Sequence, residues 1–258
     1  MRKLLGQIPS IRQVLPADKL ESLVKACDEA VWNKELLGLA QHTAWKILTQ
    51  TLKTTYVPNH LRNSLTSDIM KKWFDELRLE CAKRKYECRS YYANEDEVKR
   101  EYLAPKLTLE GFKVYVEVDL GPKLAMRGVN GPGQPPIDIL LYNPKDRRFH
   151  GIEVKYFRRE GGPESYYAGV DEALALLAYG VDYAYLYHIF DPNLKDENCM
   201  RQANFTLKIL KATPCGYRAI KICSTTDYIH KPATLNPFLT DPTISKIKRI
   251  LTEEYSEK

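Results

Sequence analysis

The sequence lacks several features that would place it in other classes of protein. No pair among its six cysteines has the C-x-x-C spacing that is typical of zinc and iron–sulfur sites. The N-terminal stretch MRKLLGQIPSIRQVLPADKL has no apolar signal-peptide core, and no apolar run approaches the roughly 20 residues that span a membrane. We therefore expect a cytoplasmic protein without a membrane partner, whose cysteines are free thiols and small buried side chains.

The bulk composition is that of a soluble globular chain. Its 258 residues are 44% hydrophobic, which is enough for one large domain or for a core with sizeable additions. The net charge of +6 is a mild excess of base, which suits a nucleic-acid partner without establishing one. The chain contains neither internal repeats nor low-complexity segments.

The N-terminal third is predicted to be helical throughout. Apolar residues recur at spacings of three and four in ADKLESLVKACDEAVWNKELLGLAQHTAWKILTQTL and again in SDIMKKWFDELRLECAKRKYE. All three tryptophans fall in this part, which favours a packed helical subdomain. We assign residues 1–92 to that subdomain, residues 93–192 to an α/β core, and residues 193–258 to a C-terminal extension packed on the core.

The pattern changes after residue 92. NEDEVKREYLAPKLTLEG predicts a helix that ends at Gly111, with a kink or an early end to its first part at Pro105. FKVYVEVDL alternates as a strand, and its Glu117 and Asp119 could extend an acidic site, although surface exposure is the preferred interpretation. GPKLAMRGVNGPGQP is typical of a Gly/Pro-rich loop. Two apolar strands then surround a polar turn in GQPPIDILLYNPKDRRFHGIEVKYF.

Further elements follow this hairpin. PESYYAGVDEALALLAYG predicts a helix closed by Gly180, and VDYAYLYHIF predicts a strand. FTLKILKA and YRAIKICS are interpreted as short strands, and PTISKIKRILTEEYSEK as a final amphipathic helix. The order of helix, three strands, helix and strand predicts an antiparallel meander joined by a crossover to a fourth strand. The expected fold class is therefore a mixed α/β sheet flanked by helices.

Three charged side chains interrupt the apolar hairpin. A period of two places Asp138 on one strand and Glu153 with Lys155 on the next toward the same space, if the apolar faces align. Two neighbouring carboxylates there repel each other and are costly to desolvate, and a divalent cation such as Mg²⁺ or Mn²⁺ resolves both problems. A lysine beside the metal can position a water or stabilise charge on a phosphoryl group. The alternative is a surface ion pair on a solvated sheet face.

The preceding helix supplies another acid. Glu95 lines up with Val98 and Tyr102 on the buried stripe, so it is predicted to point toward the core, whereas Glu97 lies off that stripe. A second acid-x-Lys triplet runs from Glu97 to Lys99, but helical geometry cannot place both of its charged groups on one face.

These residues resemble the PD-(D/E)xK nuclease superfamily, which includes restriction endonucleases, archaeal Holliday junction resolvases and many repair nucleases. The resemblance lies in PPIDILLY, with its Pro136-Ile137-Asp138, and in GIEVKYF, with its Glu153-Val154-Lys155. NEDEVKREYLAPKLTLEGFKVYVEV is similar to the entry helix of the nuclease domain in type I restriction-enzyme motor subunits. The resemblance covers residues 93–192 and implies a restriction-endonuclease-like core.

The resemblance also implies roles for individual residues. Asp138 and Glu153 become metal ligands with the Val154 carbonyl as a third, Lys155 becomes the catalytic lysine, and Glu95 ligates the metal directly or through water. The implied activity is that of a Mg²⁺- or Mn²⁺-dependent DNA endonuclease that hydrolyses phosphodiester bonds in restriction, repair or recombination. A homodimer is one way in which such a nuclease cuts both strands.

Two alternatives to this function stay open. One is a catalytically inactive nucleic-acid-binding module of the same fold, and the other is an RNA endonuclease. Since the site itself is acidic, contacts to DNA phosphates must come from elsewhere. The candidates are Lys123 and Arg127 in the glycine-rich loop, and Arg158 and Arg159 just past Lys155. Each of them fits an ordinary solvated charge equally well.

Overall fold

A computed structural model describes residues 8–85, 91–129, 136–159, 166–224 and 227–256. The chain divides into two compact units, Met1–Arg84 and Lys85–Lys258. Within the described ranges, no helix combines the length and the apolar character that crossing a bilayer requires.

The N-terminal unit is helical, as predicted. Helix α3 begins where the Asp28 side chain accepts a hydrogen bond from the Ala30 N–H at 2.9 Å, which satisfies a donor at the helix start. The two long helices bury an apolar core that includes Trp32, Leu36 and Trp73. The helices are α1 (Ile11–Val14), α2 (Ala17–Ala26), α3 (Glu29–Leu52) and α4 (Asn59–Lys85).

The cysteines differ from the expectation of free thiols. Cys27, at the C-terminal end of α2, is paired in a disulfide with Cys81 of α4, with Cα atoms 6.1 Å apart. The prediction is wrong for this pair, because a sequence separation of 54 residues carries no local signal. Cys199 and Cys215 are buried thiols outside the disulfide, as expected.

The C-terminal unit is built on one six-stranded sheet in the order β1-β2-β3-β4-β5-β6. The first three strands form the predicted antiparallel meander, β4 and β5 run parallel to β3, and β6 returns antiparallel. The expected mixed α/β class is therefore confirmed. The strands are β1 (Lys113–Val118), β2 (Ile137–Asn143), β3 (Arg148–Phe157), β4 (Tyr183–Phe190), β5 (Gly216–Lys221) and β6 (Ile229–Lys231).

The segment that precedes the sheet is a composite helix, here called the entry helix. It comprises α5 (Glu95–Glu97), a π-helical stretch (Val98–Leu103) and α6 (Ala104–Leu109). The helix continues through Pro105 to Leu109, so it has no early end there, and its geometry changes from π to α at Ala104. The predicted stop at Gly111 is confirmed, since this residue adopts a left-handed φ of 97°.

Helices cover the rest of the unit, and two of them correct the sequence prediction. The predicted glycine-rich loop contains α7, and its residues 130–135 lie outside the described residues. FTLKIL, predicted as a strand, belongs to α9, because its buried residues follow helical spacing from Cys199 through Ala203 and Thr206 to Leu210. The remaining helices are α7 (Gly121–Met126), α8 (Val170–Ala175) with a 3₁₀ turn (Leu176–Tyr179), α9 (Asp196–Leu210) and α10 (Pro242–Tyr255).

The sheet is covered on both faces. One face, represented by Leu140, Leu186 and Tyr217, packs with residues of α8, α9 and α10. The other face, represented by Ile152 and Val154, packs against the entry helix. The predicted final helix is confirmed as α10. The first residues of the helix predicted from PESYYAGVDEALALLAYG fall at 163–165, outside the described residues.

Candidate active site at the fork between β2 and β3

The site lies where β2 and β3 separate. Their backbone pairing runs from Asn143↔Arg148 to Ile139↔Ile152. Beyond it, the Val154 N–H donates to Asp138 Oδ2 at 2.8 Å, and the Tyr156 N–H donates to Glu95 Oε2 at 2.9 Å. Carboxylates from β2 and from the entry helix therefore serve as acceptors for backbone donors at the open edge of β3. Asp138 and Glu95 therefore also have a structural role, since they satisfy backbone N–H groups of β3 that have no partner on β2.

Glu153 and Lys155 lie on the same sheet face as Asp138. Continuing the β2–β3 register by one residue places Glu153 opposite Asp138. Glu153 is only 4% exposed, and its Oε1 lies 2.7 Å from the Lys155 ammonium. The same ammonium donates to Glu172 Oε2 of α8, also at 2.7 Å. The contacts thus join Glu153 with Lys155, and the register places Asp138 opposite Glu153 on the same sheet face. Glu172 is a further member of the cluster.

The burial of these acids changes their protonation. Burial raises the pKa of Glu153 to about 9, and the hydrogen bond with Glu172 and the nearby charge of Asp138 act in the same direction. The pKa of Glu172 is lowered, first by its hydrogen bond with Glu153 and then by Lys155 against the effect of burial. The two shifts act in opposite directions, as expected for two neighbouring carboxyls that interact. Burial likewise raises the pKa of Glu95.

Lys155 stays charged in this setting. Burial alone lowers the pKa of its ammonium, but the hydrogen bonds to Glu153 and Glu172 outweigh burial and raise the pKa above its ordinary value. Gly169, at the start of α8, packs closely against this side chain. A Cβ built on Gly169 would lie 3.0 Å from both Cγ and Cε of Lys155. The lysine is thus held by charge on one side and by packing on another.

Lys99 is a site residue that the sequence analysis set aside. It is 6% exposed, and its ammonium donates to Asp138 Oδ1 at 2.8 Å and to Glu117. Although burial alone lowers the pKa of this ammonium, the bonds to Asp138 and Glu117 raise it. The Glu97 carboxylate accepts a hydrogen bond from the Ala93 N–H, whereas the Lys99 ammonium reaches Asp138. The two charged groups of this triplet therefore point in different directions, as expected. The signal that could have found Lys99 is its i,i+4 spacing from Glu95.

The π-helical stretch places Lys99. The Ala104 N–H donates to the Lys99 carbonyl, five residues back, which is the π pattern. The next residue, Pro105, has no N–H with which to continue regular α-helical bonding. Short π stretches inside helices frequently occur at functional sites. The widened turn leaves Val98 and Tyr102 buried against the sheet while the Lys99 side chain reaches Asp138.

Glu117 corrects the prediction of simple surface exposure. Its side chain is 33% exposed and pairs with Lys99, and the β1–β2 register places it opposite Asp138. Its φ of 56° is left-handed, which is uncommon for a residue other than glycine. Asp119, by contrast, accepts from the Gly121 N–H at 2.8 Å at the start of α7 and takes no part in the cluster.

Two of the predicted phosphate-binding residues contact the final helix. Lys123 donates to Glu254 at 3.0 Å and to the Tyr255 hydroxyl at 2.9 Å. Arg127 pairs with Glu253, and with Glu254 at 3.0 Å. These contacts compensate both cations within the chain, so a phosphate would have to compete with carboxylates of α10.

The other two predicted phosphate-binding residues follow β3. Arg158 donates to the Ala93 carbonyl at 2.5 Å and lies over the Tyr91 ring. Arg159 lines a shallow pocket together with Tyr166 and Arg201. Both arginines leave β3 at the end that carries Lys155, which keeps them near the fork in sequence.

The donor set can be tested against a divalent cation. The described residues contain no group of three or more His, Cys, Asp or Glu side chains arranged to hold a metal. Asp138, Glu153 and Glu95 nevertheless offer carboxylate oxygens, which are the ligands that Mg²⁺ and Mn²⁺ prefer. The Lys99 ammonium already occupies Asp138 Oδ1. The residues therefore fit a hard cation in chemical kind, provided that Lys99 releases that oxygen.

Comparison of the chain with protein-family models, with curated proteins and with solved structures finds no match. The resemblance to the PD-(D/E)xK superfamily thus rests on the residues of the hairpin and of the entry helix. The chemistry of the site has to be argued from those residues.

Proposed function

We propose that the protein is a metal-dependent DNA endonuclease with a restriction-endonuclease-like core. The observation that carries this proposal is the convergence of Asp138, Glu153 and Lys155 at the β2–β3 fork, with Glu95 closing it from the entry helix. An acid pair beside a half-buried ammonium is costly to desolvate, and clusters of this kind are characteristic of functional sites. Asp138, Glu153 and Lys155 resemble the family motif, with Ile137 intervening between Pro136 and Asp138.

Asp138, Glu153 and the Val154 carbonyl would hold Mg²⁺ or Mn²⁺, with Glu95 contributing directly or through a water. Bound there, such an ion supplies Lewis acidity toward a phosphate oxygen and lowers the pKa of a water. Lys155 orients the attacking water and, as a permanent cation, stabilises the negative charge that grows on the phosphoryl oxygens. Glu172 acts as a positioning residue, because it accepts a hydrogen bond from the Lys155 ammonium in addition to the contact with Glu153.

The test is cleavage of supercoiled plasmid, branched DNA, single-stranded DNA and RNA, each with Mg²⁺, Mn²⁺ or EDTA. The variants are Asp138→Asn and Lys155→Met, and we expect each to lower the cleavage rate by about 100-fold or more. Lys248→Met serves as the matched control. Like Lys155, which pairs with buried Glu153, Lys248 pairs with a buried carboxylate, that of Asp182. Like Asp138, Asp182 also accepts a backbone N–H, from Phe149 at 2.9 Å.

The outcomes separate the candidate functions. Metal-dependent cleavage of DNA that both site variants abolish, and that the control retains, supports the proposal. Cleavage of RNA alone would make the protein an RNA endonuclease. Tight nucleic-acid binding without cleavage in any metal would favour the inactive binding module. The compensation of the site acids by Lys99 and Lys155 is compatible with that alternative.

A further inference from the structure

The strongest unexplained feature of the fork is that a buried lysine, together with a backbone N–H, holds the central aspartate. Both oxygens of Asp138 are engaged, Oδ2 by the Val154 N–H and Oδ1 by the Lys99 ammonium, each at 2.8 Å. The Lys99 side chain is 7% exposed and that of Asp138 is 12% exposed, so the pair is largely shielded from water. A buried ion pair of this kind is costly to assemble and costly to break by removing one partner.

The ammonium has two carboxylate partners rather than one. It also donates to Glu117, which lies opposite Asp138 in the sheet register and is therefore a second acid on the same side of β2. If Lys99 moves away from Asp138, Glu117 can retain it. The geometry thus provides a place for the ammonium both before and after Asp138 changes its partner.

We propose that Lys99 is a built-in counter-ion that competes with the divalent cation for Asp138 and so sets the affinity of the site for metal. This inference rests on the proposed function. In the metal-free protein the ammonium neutralises Asp138 and occupies its Oδ1. A cation that binds Asp138 displaces the ammonium, which remains on Glu117. Lys99 is therefore a positioning residue of the metal site rather than a group that touches the substrate.

The experiment measures Mn²⁺ binding to the EDTA-stripped full-length protein by the loss of the free-ion electron paramagnetic resonance signal. Lys99→Met removes the charge but keeps the length of the side chain. We expect it to tighten Mn²⁺ binding by about tenfold or more, the size of effect that one adjacent charge has on a carboxyl group. Lys99→Arg keeps the charge, and we expect it to bind Mn²⁺ no more tightly than the wild type.

Thermal unfolding gives a second readout. Without metal, Lys99→Met should melt below the wild type, because Asp138 and Glu117 lose their counter-ion. Saturating Mn²⁺ should raise its melting temperature by more than it raises that of the wild type. Lys248→Met, which removes a lysine from buried Asp182, should lower the melting temperature without changing Mn²⁺ affinity. Where Lys99→Met does not fold, Lys99→Gln replaces it with the same expectation.

An Asp138→Asn variant distinguishes failure of the proposed function from failure of the proposed competition by Lys99. If neither the wild type nor Lys99→Met binds Mn²⁺ in a manner that depends on Asp138, the metal site and with it the proposed function are wrong. If the wild type binds through Asp138 but Lys99→Met binds with unchanged or weaker affinity, only the competition by Lys99 is overturned. Tighter binding by Lys99→Met, together with wild-type behaviour of Lys99→Arg, supports it.

Discussion

At the scale of single residues, Glu153 shows how a site can oppose stability. Its carboxyl is buried and holds a proton up to a pH of about 9, against an ordinary value of 4.5. The folded protein therefore binds more protons than the unfolded chain between these two values, so this group's contribution to stability falls as the pH rises through that range. The lowered pKa of Glu172 affects the pH dependence of stability only below the ordinary value of 4.5, which is outside this range.

The corresponding prediction concerns Glu153→Gln. An amide keeps the volume and a hydrogen-bond donor toward Glu172 but cannot ionise. The metal-free protein should therefore gain roughly 1–3 kcal/mol of unfolding free energy at about pH 8, the scale of an imperfectly compensated buried group. Cleavage should be lost at the same time. Urea unfolding at several pH values measures the first effect, and a pH dependence as steep as that of the wild type would contradict the assignment.

The scale of elements shows which parts of the site are visible in the sequence. The shared face of Asp138, Glu153 and Lys155 follows from the period of two in apolar strands, together with their pairing. The position of the Lys99 side chain could not be predicted in this way, because its direction depends on a π-helical turn that no simple periodicity describes. Glu172 could not be placed either, since the crossover geometry that brings α8 against β3 is a tertiary property.

The same limit explains the misassigned elements. FTLKILKA alternates apolar and polar residues as a strand does. Cys199 and Ala203 upstream, however, extend an apolar stripe with helical spacing, and packing of this stripe on the sheet stabilises the helix. In the hairpin no such competition exists, and both strands appear as predicted. The local sequence pattern therefore determines the element where it fits only a strand or only a helix. Where the pattern fits both, tertiary packing determines which of them forms.

The start of α8 gives an element-scale prediction. Gly169 has a left-handed φ of 76°, and a Cβ there would approach Leu186 Cδ1 to 2.8 Å as well as the Lys155 side chain. Gly169→Ala should destabilise the fold by about 1–3 kcal/mol and displace Lys155. We expect the single-turnover cleavage rate per folded molecule to fall by about tenfold or more, since small misplacements of catalytic groups are costly.

Gly180→Ala is the control for this prediction. Gly180 also has a left-handed φ, of 74°, and a Cβ there would meet backbone atoms of Lys248 and Ile244 within about 3 Å. It closes the 3₁₀ turn and does not touch Lys155. Its alanine variant should lose stability but retain the cleavage rate of the folded fraction. Equal rates for the two variants, compared below both melting temperatures, would show that Gly169 has no role in holding Lys155.

At the scale of the whole molecule, the two units differ in what they contain. Each has its own hydrophobic core, and every residue of the candidate site lies in Lys85–Lys258. The Cys27–Cys81 disulfide lies entirely within Met1–Arg84. A division of the chain at residue 85 would therefore cut neither a core nor that disulfide. It would leave intact the sheet, the entry helix and the final helix that pairs with Lys123 and Arg127.

This division leads to a prediction about a fragment that begins at residue 85. We expect it to fold cooperatively and to retain metal-dependent cleavage of DNA, because all of the proposed ligands and Lys155 remain. Circular dichroism, thermal unfolding and cleavage of the same panel of nucleic acids would measure this. If the helical unit contributes to specificity, the fragment should discriminate less between branched, linear and single-stranded DNA. A fragment that is folded but inactive would instead show that residues 85–258 are not sufficient for cleavage.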